Sequence, residues 1–293
     1  MSDCMRLEVN MSEYTSMKTG GVAERCYFPE TQEQLCETVA ALEDDGAHYA
    51  VLGNMSNVLL EDGTLSFVPV VTCGVRGRRL EKRADGKAEL YAACGESLTR
   101  LAYDMCREGL SGLEFAYGIP GTVGGAVFMN AGAYGSEMKN VVRAVRWYDI
   151  AARQTVEIPA DACVFGYRNS VFQQRRGVIL GAHLLLSTDD AAACLARAKE
   201  FMKRRTEKQP LELPSCGSAF KRPEGFYAGE LIEKSGLKGF CVGGACVSEK
   251  HAGFIVNKGG ATTADVIGLI EEVQARVKAR FGVELEPEIR IIK

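Results

Sequence analysis

The feature that most constrains the fold of this chain is the stretch GIPGTVGGAVFMNAGAYG at residues 118–135, which contains six glycines and no charged residue. With its neighbours, from Phe115 to Ser136, it forms an uncharged run long enough to cross a membrane as a helix. A glycine inside a helix costs about 1 kcal/mol relative to alanine and a proline about 3 kcal/mol, so a membrane helix is disfavoured. The composition instead predicts a loop in which the missing side chains expose the backbone.

A second loop of related composition is LGNMSNVLL at residues 52–60, where Gly53, Asn54, Ser56 and Asn57 lie between two predicted strands. Backbone N–H groups at glycines form nests that bind anionic groups such as phosphates. Either loop alone is better explained as a tight, buried turn between strands. Two such loops in one chain favour a ligand that carries a pyrophosphate and a flat ring.

Hydrophobic periodicity predicts helices among short strand-like runs, which is the pattern of an α+β protein. The predicted helices run from Thr31 to about Asp44, from Ser97 to Glu108, from near Asp189 to before Pro210, from Phe226 to Ser235 and from Thr262 to Phe281. A final strand is predicted over VELEPEIRII. The stretch KRRTEKQPLELPSCG at residues 203–217 combines charges, two prolines and a glycine, which is typical of an exposed connection between domains.

The overall composition limits the class of protein. A net charge of −3 gives no global attraction to nucleic acid or to an anionic membrane, so we expect neither as a partner. The 11 cysteines are scattered without a CxxC pair, and the closest spacing is Cys241 to Cys246. We interpret them as small hydrophobic thiols in a reducing compartment. The N-terminal segment lacks a basic stretch followed by an apolar one, which predicts a cytoplasmic protein without a signal peptide.

Several common catalytic signatures are missing from the sequence. It contains no GxGxxG, GxxxxGK[ST], HExxH or GxSxG motif, so the usual dinucleotide fold, P-loop, zinc-protease and hydrolase interpretations lack their motifs. The three histidines, His48, His183 and His251, do not suggest a metal centre. We therefore expect no metal site.

Three places hold polar residues that could bind or protonate a ligand. Arg168 follows Tyr167 in GYRNS between two strands, where a surface salt bridge is the alternative. Ser218 follows a glycine in SCGSAFKRP, where capping of a helix is the alternative. The last predicted strand carries acidic residues on one face, at Glu284, Glu286 and Glu288, for which protection of a sheet edge is the alternative.

Motifs spread in order over nearly the whole chain resemble those of the UDP-N-acetylenolpyruvoylglucosamine reductases, flavoenzymes of peptidoglycan precursor synthesis. The matching stretches are YTSMKTGG, LGNMSNVLL, GLEFAYGIPGTVGGAVFMNAGAYG, GYRNS, CGSAFKRP, GGACVSEKHAGFIVN and EPEIRII. The short segment between GYRNS and CGSAFKRP resembles the shorter, type II form of the family, which lacks an additional loop that bears a tyrosine and covers the substrate.

The resemblance implies an FAD-binding unit of the p-cresol methylhydroxylase type, with subdomains at residues 1–75 and 76–205, and a smaller α+β substrate-binding domain at residues 206–293. FAD then accounts for both loops and for the missing GxGxxG motif. The residues implied to line the cofactor are Gly53, Asn54, Ser56, Asn57, Ile119, Pro120, Gly121, Thr122, Gly124, Gly125, Ala126, Asn130, Gly132 and Ala133.

The activity implied by the resemblance is reduction of the enolpyruvyl ether on UDP-N-acetylglucosamine to UDP-N-acetylmuramate, with NADPH as the reductant. Negative charge then builds on the substrate as an enolate. By family match, Arg168 binds the substrate carboxylate through a charge-assisted hydrogen bond, Glu288 assists it, and Ser218 delivers the proton. The protein is expected to be a monomer.

The same resemblance implies contacts to the UDP-sugar from Tyr134, Tyr167, Lys221, Arg222 and Lys250. Two residues depart from the family pattern. Met55 stands where a glycine is usual, and it would be strained if that position requires a positive φ. Arg222 stands where asparagine is frequent.

Two other functions remain open from the residues. One is a flavoprotein of the same architecture that oxidises a small alcohol or phenol, which would explain the two loops but not Ser218 and Glu288. The other is a nucleotide-binding protein without catalytic activity that keeps the fold.

Overall fold

The computed structural model describes residues 4–293 and divides them into two units. Unit 1 contains residues 4–6, Cys26–Asn54 and Pro69–Arg205, and unit 2 contains Leu7–Arg25, Met55–Val68 and Thr206–Lys293. Unit 2 therefore includes two segments from the N-terminal region of the chain. No local sequence pattern predicts that these segments belong to it. The division into residues 1–75, 76–205 and 206–293 stays a prediction.

The α-helices lie among short strands whose pairs are mostly antiparallel, in agreement with the predicted α+β class. The helices are α1 (Gln32–Asp44), α2 (Leu98–Arg107), α3 (Val123–Phe128), α4 (Ala191–Lys208), α5 (Ala228–Lys234) and α6 (Thr263–Phe281). Within residues 4–293, no helix is long and apolar enough to cross a membrane.

The strands are mostly short. They are β1 (Met5–Asn10), β2 (Val22–Tyr27), β3 (Tyr49–Leu52), β4 (Val58–Leu60), β5 (Val68–Val71), β6 (Arg78–Lys82), β7 (Lys87–Ala93), β8 (Leu110–Ser111), β9 (Gly132–Ala133), β10 (Ser136–Glu137), β11 (Val142–Asp149), β12 (Gln154–Pro159), β13 (Gly177–Thr188), β14 (Ser215–Ser218), β15 (Cys241–Val242), β16 (Ala245–Val247), β17 (Phe254–Asn257) and β18 (Arg290–Ile292).

Side chains cap the N-termini of the helices whose starts the sequence predicted best. Thr31, Ser97 and Thr262 each accept a hydrogen bond from the backbone N–H three residues later, immediately before α1, α2 and α6. Such caps satisfy N–H groups that have no partner inside the helix. Gly282 then ends α6 in the left-handed conformation, with a φ of 69°.

The structure corrects two predictions about local structure. The glycine-rich stretch is not a continuous loop, because Val123–Phe128 forms α3 with Thr122 as its cap. The last strand is also shorter than predicted, since only Arg290–Ile292 is a strand. Pro287 lacks an N–H for a regular ladder, so the acidic residues before Arg290 do not form one strand face.

The larger sheet of unit 1 supports the glycine-rich stretch. Its order is β12-β11-β13-β7-β6, with β8 paired to one end of β13, and all of these pairs are antiparallel. Helix α3 lies against β7 and β13. The N–H of Gly124 donates to the carbonyl of Cys94, immediately after β7, at 2.9 Å. This hydrogen bond and the packing around it hold α3 despite its two glycines.

Unit 2 contains the sheet β14-β17-β16-β15 and the parallel pair of β18 with β4. Helix α6 buries one stripe in the core, formed by Val266, Leu269, Ile270, Val273 and Val277. The Asp62 carboxylate accepts hydrogen bonds from the N–H groups of Thr263 and Ala264, both at 2.9 Å. A negative charge at a helix N-terminus is stabilising. The segment from Met55 to Val68 therefore belongs to unit 2 through packing and through this contact.

The cysteines follow the sequence interpretation except at one pair. Burial raises the pKa of the Cys94 and Cys216 thiols to about 12, so they are protonated at neutral pH and act as hydrophobic residues. Cys241 and Cys246 lie directly opposite each other on β15 and β16 and form a disulfide. The expectation that all cysteines are free thiols is therefore wrong for this pair, because the hairpin brings the two residues together.

Candidate active site

Unit 1 brings the two predicted loops into direct contact. The side-chain amide of Asn54 donates to the carbonyl of Pro120 at 2.6 Å. A Cβ atom added to Gly53 would lie 2.5 Å from the Thr122 hydroxyl oxygen, which is closer than real contacts allow. Gly53 is therefore required for the loops to meet. Asn54 and Pro120 are exposed residues, so the contact between the loops lies at the surface of unit 1.

The glycines of α3 have different structural roles. A Cβ on Gly124 would lie 2.9 Å from the Cβ of Cys94, so packing within unit 1 requires a glycine there. Gly125 is exposed and helical, and a Cβ there would meet only the Thr122 hydroxyl at 3.4 Å, an ordinary contact. A helical glycine costs about 0.5–1 kcal/mol relative to alanine. Since the protein itself does not need Gly125, this uncharged open backbone fits a ligand such as FAD.

The remaining residues predicted to contact the cofactor fall into two groups. Asn57 lies in unit 2, where its amide donates to the Glu288 carbonyl at 3.1 Å and its own carbonyl accepts from the Arg290 N–H at 3.0 Å. Ser56 is partly exposed in the same loop. In unit 1, Ile119, Gly121, Gly132 and Ala133 are partly exposed, whereas Thr122, Gly124, Ala126 and Asn130 are buried. Their contacts with the cofactor stay predictions.

Met55, which departs from the family pattern, has a φ of 46° and is only 5% exposed. The position therefore has the left-handed backbone for which glycine is usual. For a methionine this conformation costs about 1 kcal/mol. Its buried side chain offsets this cost, because removing a buried methionine destabilises a protein by about 2–5 kcal/mol.

Replacing Met55 with glycine is therefore expected to lower the free energy of unfolding by at least about 1 kcal/mol, despite the relief of backbone strain. Urea unfolding of the two proteins measures the difference. Met55→Leu is the matched control, since it keeps the volume and the strained backbone and should change stability by less than about 1.5 kcal/mol. A glycine variant more stable than the parent would show that strain outweighs packing here.

Arg168 lies at the tip of a two-residue turn in unit 1. Gly166 and Asn169 exchange both backbone hydrogen bonds, at 3.0 and 3.2 Å, and Arg168 has a φ of 52°. The Arg168 guanidinium donates to the Gly132 carbonyl at 3.3 Å and lies over the ring of Tyr167, 5.1 Å from its centroid. The fold thus places the predicted carboxylate-binding arginine beside the end of the glycine-rich stretch.

Ser218 and Glu288 lie close together in unit 2 through backbone pairing. The Glu288 N–H donates to the Ala219 carbonyl at 2.9 Å, and the Lys221 N–H donates to the Glu286 carbonyl at 2.8 Å. The Ser218 hydroxyl donates to the Phe220 carbonyl at 3.1 Å. Two segments that are far apart in sequence therefore bring the predicted proton donor next to the predicted acid.

Tyr134 is held by residues that the sequence analysis missed. Its ring stacks on Phe201, with centroids 4.6 Å apart and an interplanar angle of 2°, and 37% of the residue is exposed. Arg205 also forms a hydrogen bond with Tyr134. Both partners lie on α4, whose last turns the sequence analysis treated only as a charged helix end. The aromatic side chain of Phe201 among these charged residues is the sequence signal that could have indicated a contact for Tyr134.

The three cations predicted to contact the UDP-sugar already have contacts within unit 2. Lys221 forms an ion pair with Glu286 at 2.5 Å. The ammonium of Lys250 donates to the Thr206 carbonyl at 2.8 Å. The guanidinium of Arg222 lies 4.1 Å from the centroid of the Tyr227 ring. Their binding of a substrate stays a prediction.

Comparison with known proteins finds similarity over nearly the whole chain. The family "FAD binding domain" matches residues 23–155, and the family "UDP-N-acetylenolpyruvoylglucosamine reductase, C-terminal domain" matches residues 209–292. The UDP-N-acetylenolpyruvoylglucosamine reductase of Caldicellulosiruptor bescii is 45% identical over 284 residues, which is 96% of this chain and 88% of the relative. That of Limosilactobacillus reuteri is 44% identical over 298 residues, covering 100% of this chain and 97% of the relative.

A solved structure also matches nearly the whole chain. The crystal structure of UDP-N-acetylenolpyruvylglucosamine reductase from Thermus caldophilus has a TM-score of 0.80 and 33% sequence identity, and the match covers 99% of this chain and 100% of that chain. Both the sequence and the fold are thus shared over the full length.

Proposed function

This chain belongs to the UDP-N-acetylenolpyruvoylglucosamine reductase family, and we propose that it uses FAD and NADPH to reduce the enolpyruvyl ether of UDP-N-acetyl-3-O-(1-carboxyvinyl)-glucosamine to UDP-N-acetylmuramate. The observation that carries the proposal is the open backbone at Gly125, beside loops joined by Asn54 and Pro120, within the matched FAD binding domain. Oxidation of a small alcohol or phenol is not favoured, because the substrate-domain family also matches.

FAD is proposed to lie along the contact of the two loops, and when bound it supplies the two-electron chemistry that passes reducing equivalents from NADPH to the substrate alkene. Asn54, Pro120 and Gly125 are exposed, and the bare backbone of Gly125 gives a flat cofactor close access. Gly53 and Gly124 allow the two loops and α3 to pack closely, because side chains there would collide with Thr122 and Cys94.

Arg168 is proposed to bind the carboxylate of the enolpyruvyl group. Adding a hydride equivalent to the terminal alkene carbon places negative charge on the neighbouring carbon and its carboxylate. A guanidinium donates two parallel hydrogen bonds to a carboxylate, and these bonds strengthen as the charge grows. The turn at Gly166 and Asn169 presents this side chain from a fixed backbone.

Ser218 is proposed to transfer its hydroxyl proton to the substrate carbon next to the carboxylate. A serine is a weak acid, yet an enolate carbon is basic enough to take its proton when both are held together. The hydroxyl is already held by its hydrogen bond to the Phe220 carbonyl. Glu288, whose backbone is fixed on Ala219, is proposed to assist Arg168 in holding the charge.

The wider setting belongs to the same proposal. We propose that the protein acts as a cytoplasmic monomer. We propose neither nucleic acid nor a membrane as a partner, because a net charge of −3 gives no global attraction to either. Tyr134, Tyr167, Lys221, Arg222 and Lys250 are proposed to contact the UDP-sugar.

A spectroscopic assay tests the proposed function. The purified protein is expected to be yellow, to lose its flavin absorbance when NADPH is added without oxygen, and to regain it when the enolpyruvyl substrate follows. Mass spectrometry should then detect UDP-N-acetylmuramate. UDP-N-acetylglucosamine, which lacks the alkene, is the control and should not restore the absorbance. Restoration by a small alcohol, or none by the enolpyruvyl substrate, would contradict the proposal.

A further inference from the structure

We propose that Gln173 is a positioning residue that fixes the turn carrying Arg168, and thereby the site for the substrate carboxylate. The inference rests on the function proposed above, in which Arg168 binds that carboxylate. It follows from three features of unit 1: the backbone of the turn, the contacts of Gln173 and the contacts of Asn130.

The turn at Arg168 is intrinsically unfavourable. Arg168 is the second of the two central residues between Gly166 and Asn169, and its φ is 52°. A positive φ at this place in a turn normally selects glycine or asparagine. For another residue the left-handed conformation costs about 1–2 kcal/mol, so it persists only where neighbouring groups hold it. The groups that hold the Arg168 backbone therefore fix the position from which its side chain projects.

Gln173 supplies such a group. Its side-chain amide nitrogen donates to the carbonyl of Arg168 at 3.0 Å and to the carbonyl of Phe128 at 3.1 Å. Because an amide nitrogen carries two hydrogens, one side chain can serve both acceptors. Phe128 is the last residue of α3, where helix carbonyls lack intrahelical donors. Gln173 thus fastens the turn to the end of the glycine-rich helix.

Asn130 holds the other side of the same turn. It is fully buried, and its amide nitrogen donates to the Gly166 carbonyl at 2.8 Å and to the Glu137 carboxylate at 2.7 Å. Its oxygen accepts from the Lys139 N–H at 2.9 Å. Carboxamides therefore bond the carbonyls of both Gly166 and Arg168. The side chain of Asn130 is engaged by protein groups, which gives it a positioning role alongside the cofactor contact predicted from the sequence.

Losing the Gln173 donor should release Arg168 without opening the core. The Phe128 carbonyl also accepts from the Ser170 hydroxyl at 2.7 Å, so it keeps a partner when Gln173 is replaced. The Arg168 carbonyl would lose the Gln173 bond that fastens it to α3. A shift of about 1 Å in a binding group can cost up to about a hundredfold in rate, so an effect on carboxylate binding is measurable.

The test compares Gln173→Met with Gln174→Met. Methionine keeps the length of glutamine and removes the donor, and Gln174 is the adjacent, exposed glutamine. Calorimetry measures binding of UDP-N-acetylmuramate, which has the carboxylate, and of UDP-N-acetylglucosamine, which lacks it, to the flavin-loaded protein. Gln173→Met is expected to weaken binding of the first nucleotide about tenfold and of the second less than about twofold. Gln174→Met should change neither.

Several results would overturn the proposal. They are unchanged binding in Gln173→Met, equal weakening of both nucleotides, an equal effect of Gln174→Met, or loss of flavin and soluble protein, which would assign Gln173 to the fold.

Arg168→Ala separates this inference from the proposed function. If Arg168→Ala does not weaken UDP-N-acetylmuramate binding, the proposed role of Arg168 is wrong, and the positioning role fails with it. If Arg168→Ala weakens binding and Gln173→Met does not, only the positioning role is wrong. When both weaken it, Gln173→Met should add no further loss in the Arg168→Ala background, because Gln173 acts through Arg168.

Discussion

Gly125→Val is expected to yield a folded protein that has lost its flavin. The added side chain would project from an exposed position on α3 where, outside the helix backbone and the adjacent residues, the nearest atom to a Cβ is the Thr122 hydroxyl oxygen at 3.4 Å. Valine has a slightly better helix propensity than glycine, so stability should change by less than about 1 kcal/mol. The proposed cofactor cannot approach a branched side chain as closely as bare backbone. The measured quantities are the flavin-to-protein ratio and the melting temperature of the flavin-free protein.

The neighbouring glycine provides a matched comparison. From the sequence alone, Gly124 and Gly125 are equivalent, and valine at either would be expected to remove the flavin first. The structure separates them, because a Cβ on Gly124 would lie 2.9 Å from the Cβ of Cys94 in the packed interior. Such overpacking costs about 1–3 kcal/mol, so Gly124→Val should lower the melting temperature even without flavin. A Gly125→Val protein that stays fully yellow would contradict the proposed position of the cofactor.

Ser218→Ala is expected to retain flavin and its bleaching by NADPH, and to lose restoration of the absorbance by the enolpyruvyl substrate. Removing the hydroxyl deletes one hydrogen bond, to Phe220, so stability should fall by no more than about 1.5 kcal/mol. Loss of a positioned proton donor typically slows a reaction by about 10²–10⁴-fold. Stopped-flow absorbance measures the two half-reactions separately, and only the second should slow.

Ser215→Ala is the control for this variant. Ser215 begins the same strand, β14, and pairs with Val256 of β17. Its replacement should leave both half-reactions within about twofold of the parent, since it has no proposed role in proton transfer. Normal substrate reduction by Ser218→Ala would show that another group, or water, supplies the proton.

Local chemistry allowed much of the fold to be predicted. The helices predicted to start at Thr31, Ser97 and Thr262 do begin there, because a capping side chain and its N–H partner lie within one turn of the chain. Left-handed glycines such as Gly109 and Gly282 mark helix ends for the same local reason. These features depend on neighbours in sequence, so the sequence contains them.

Features that depend on contacts between distant segments were not predicted from local sequence patterns. Helix α3 forms in a stretch that propensity assigns to a loop, since Gly124 packs against Cys94 and its N–H finds a carbonyl there. The disulfide between Cys241 and Cys246 depends on the register of a hairpin. The predicted acidic strand face at the C-terminus is replaced by isolated pairing of Phe220 with Pro287.

By itself, the sequence determined the family, the α+β class and the residue types available for chemistry, because motifs and periodicities are local and keep their order along the chain. Only the tertiary structure decided how the glycines differ, that Ser218 lies beside Glu288, that Met55 has a positive φ, and that Gln173 bonds the Arg168 carbonyl. The physical reason is that steric clearance and hydrogen-bond partners depend on segments brought together from far along the chain.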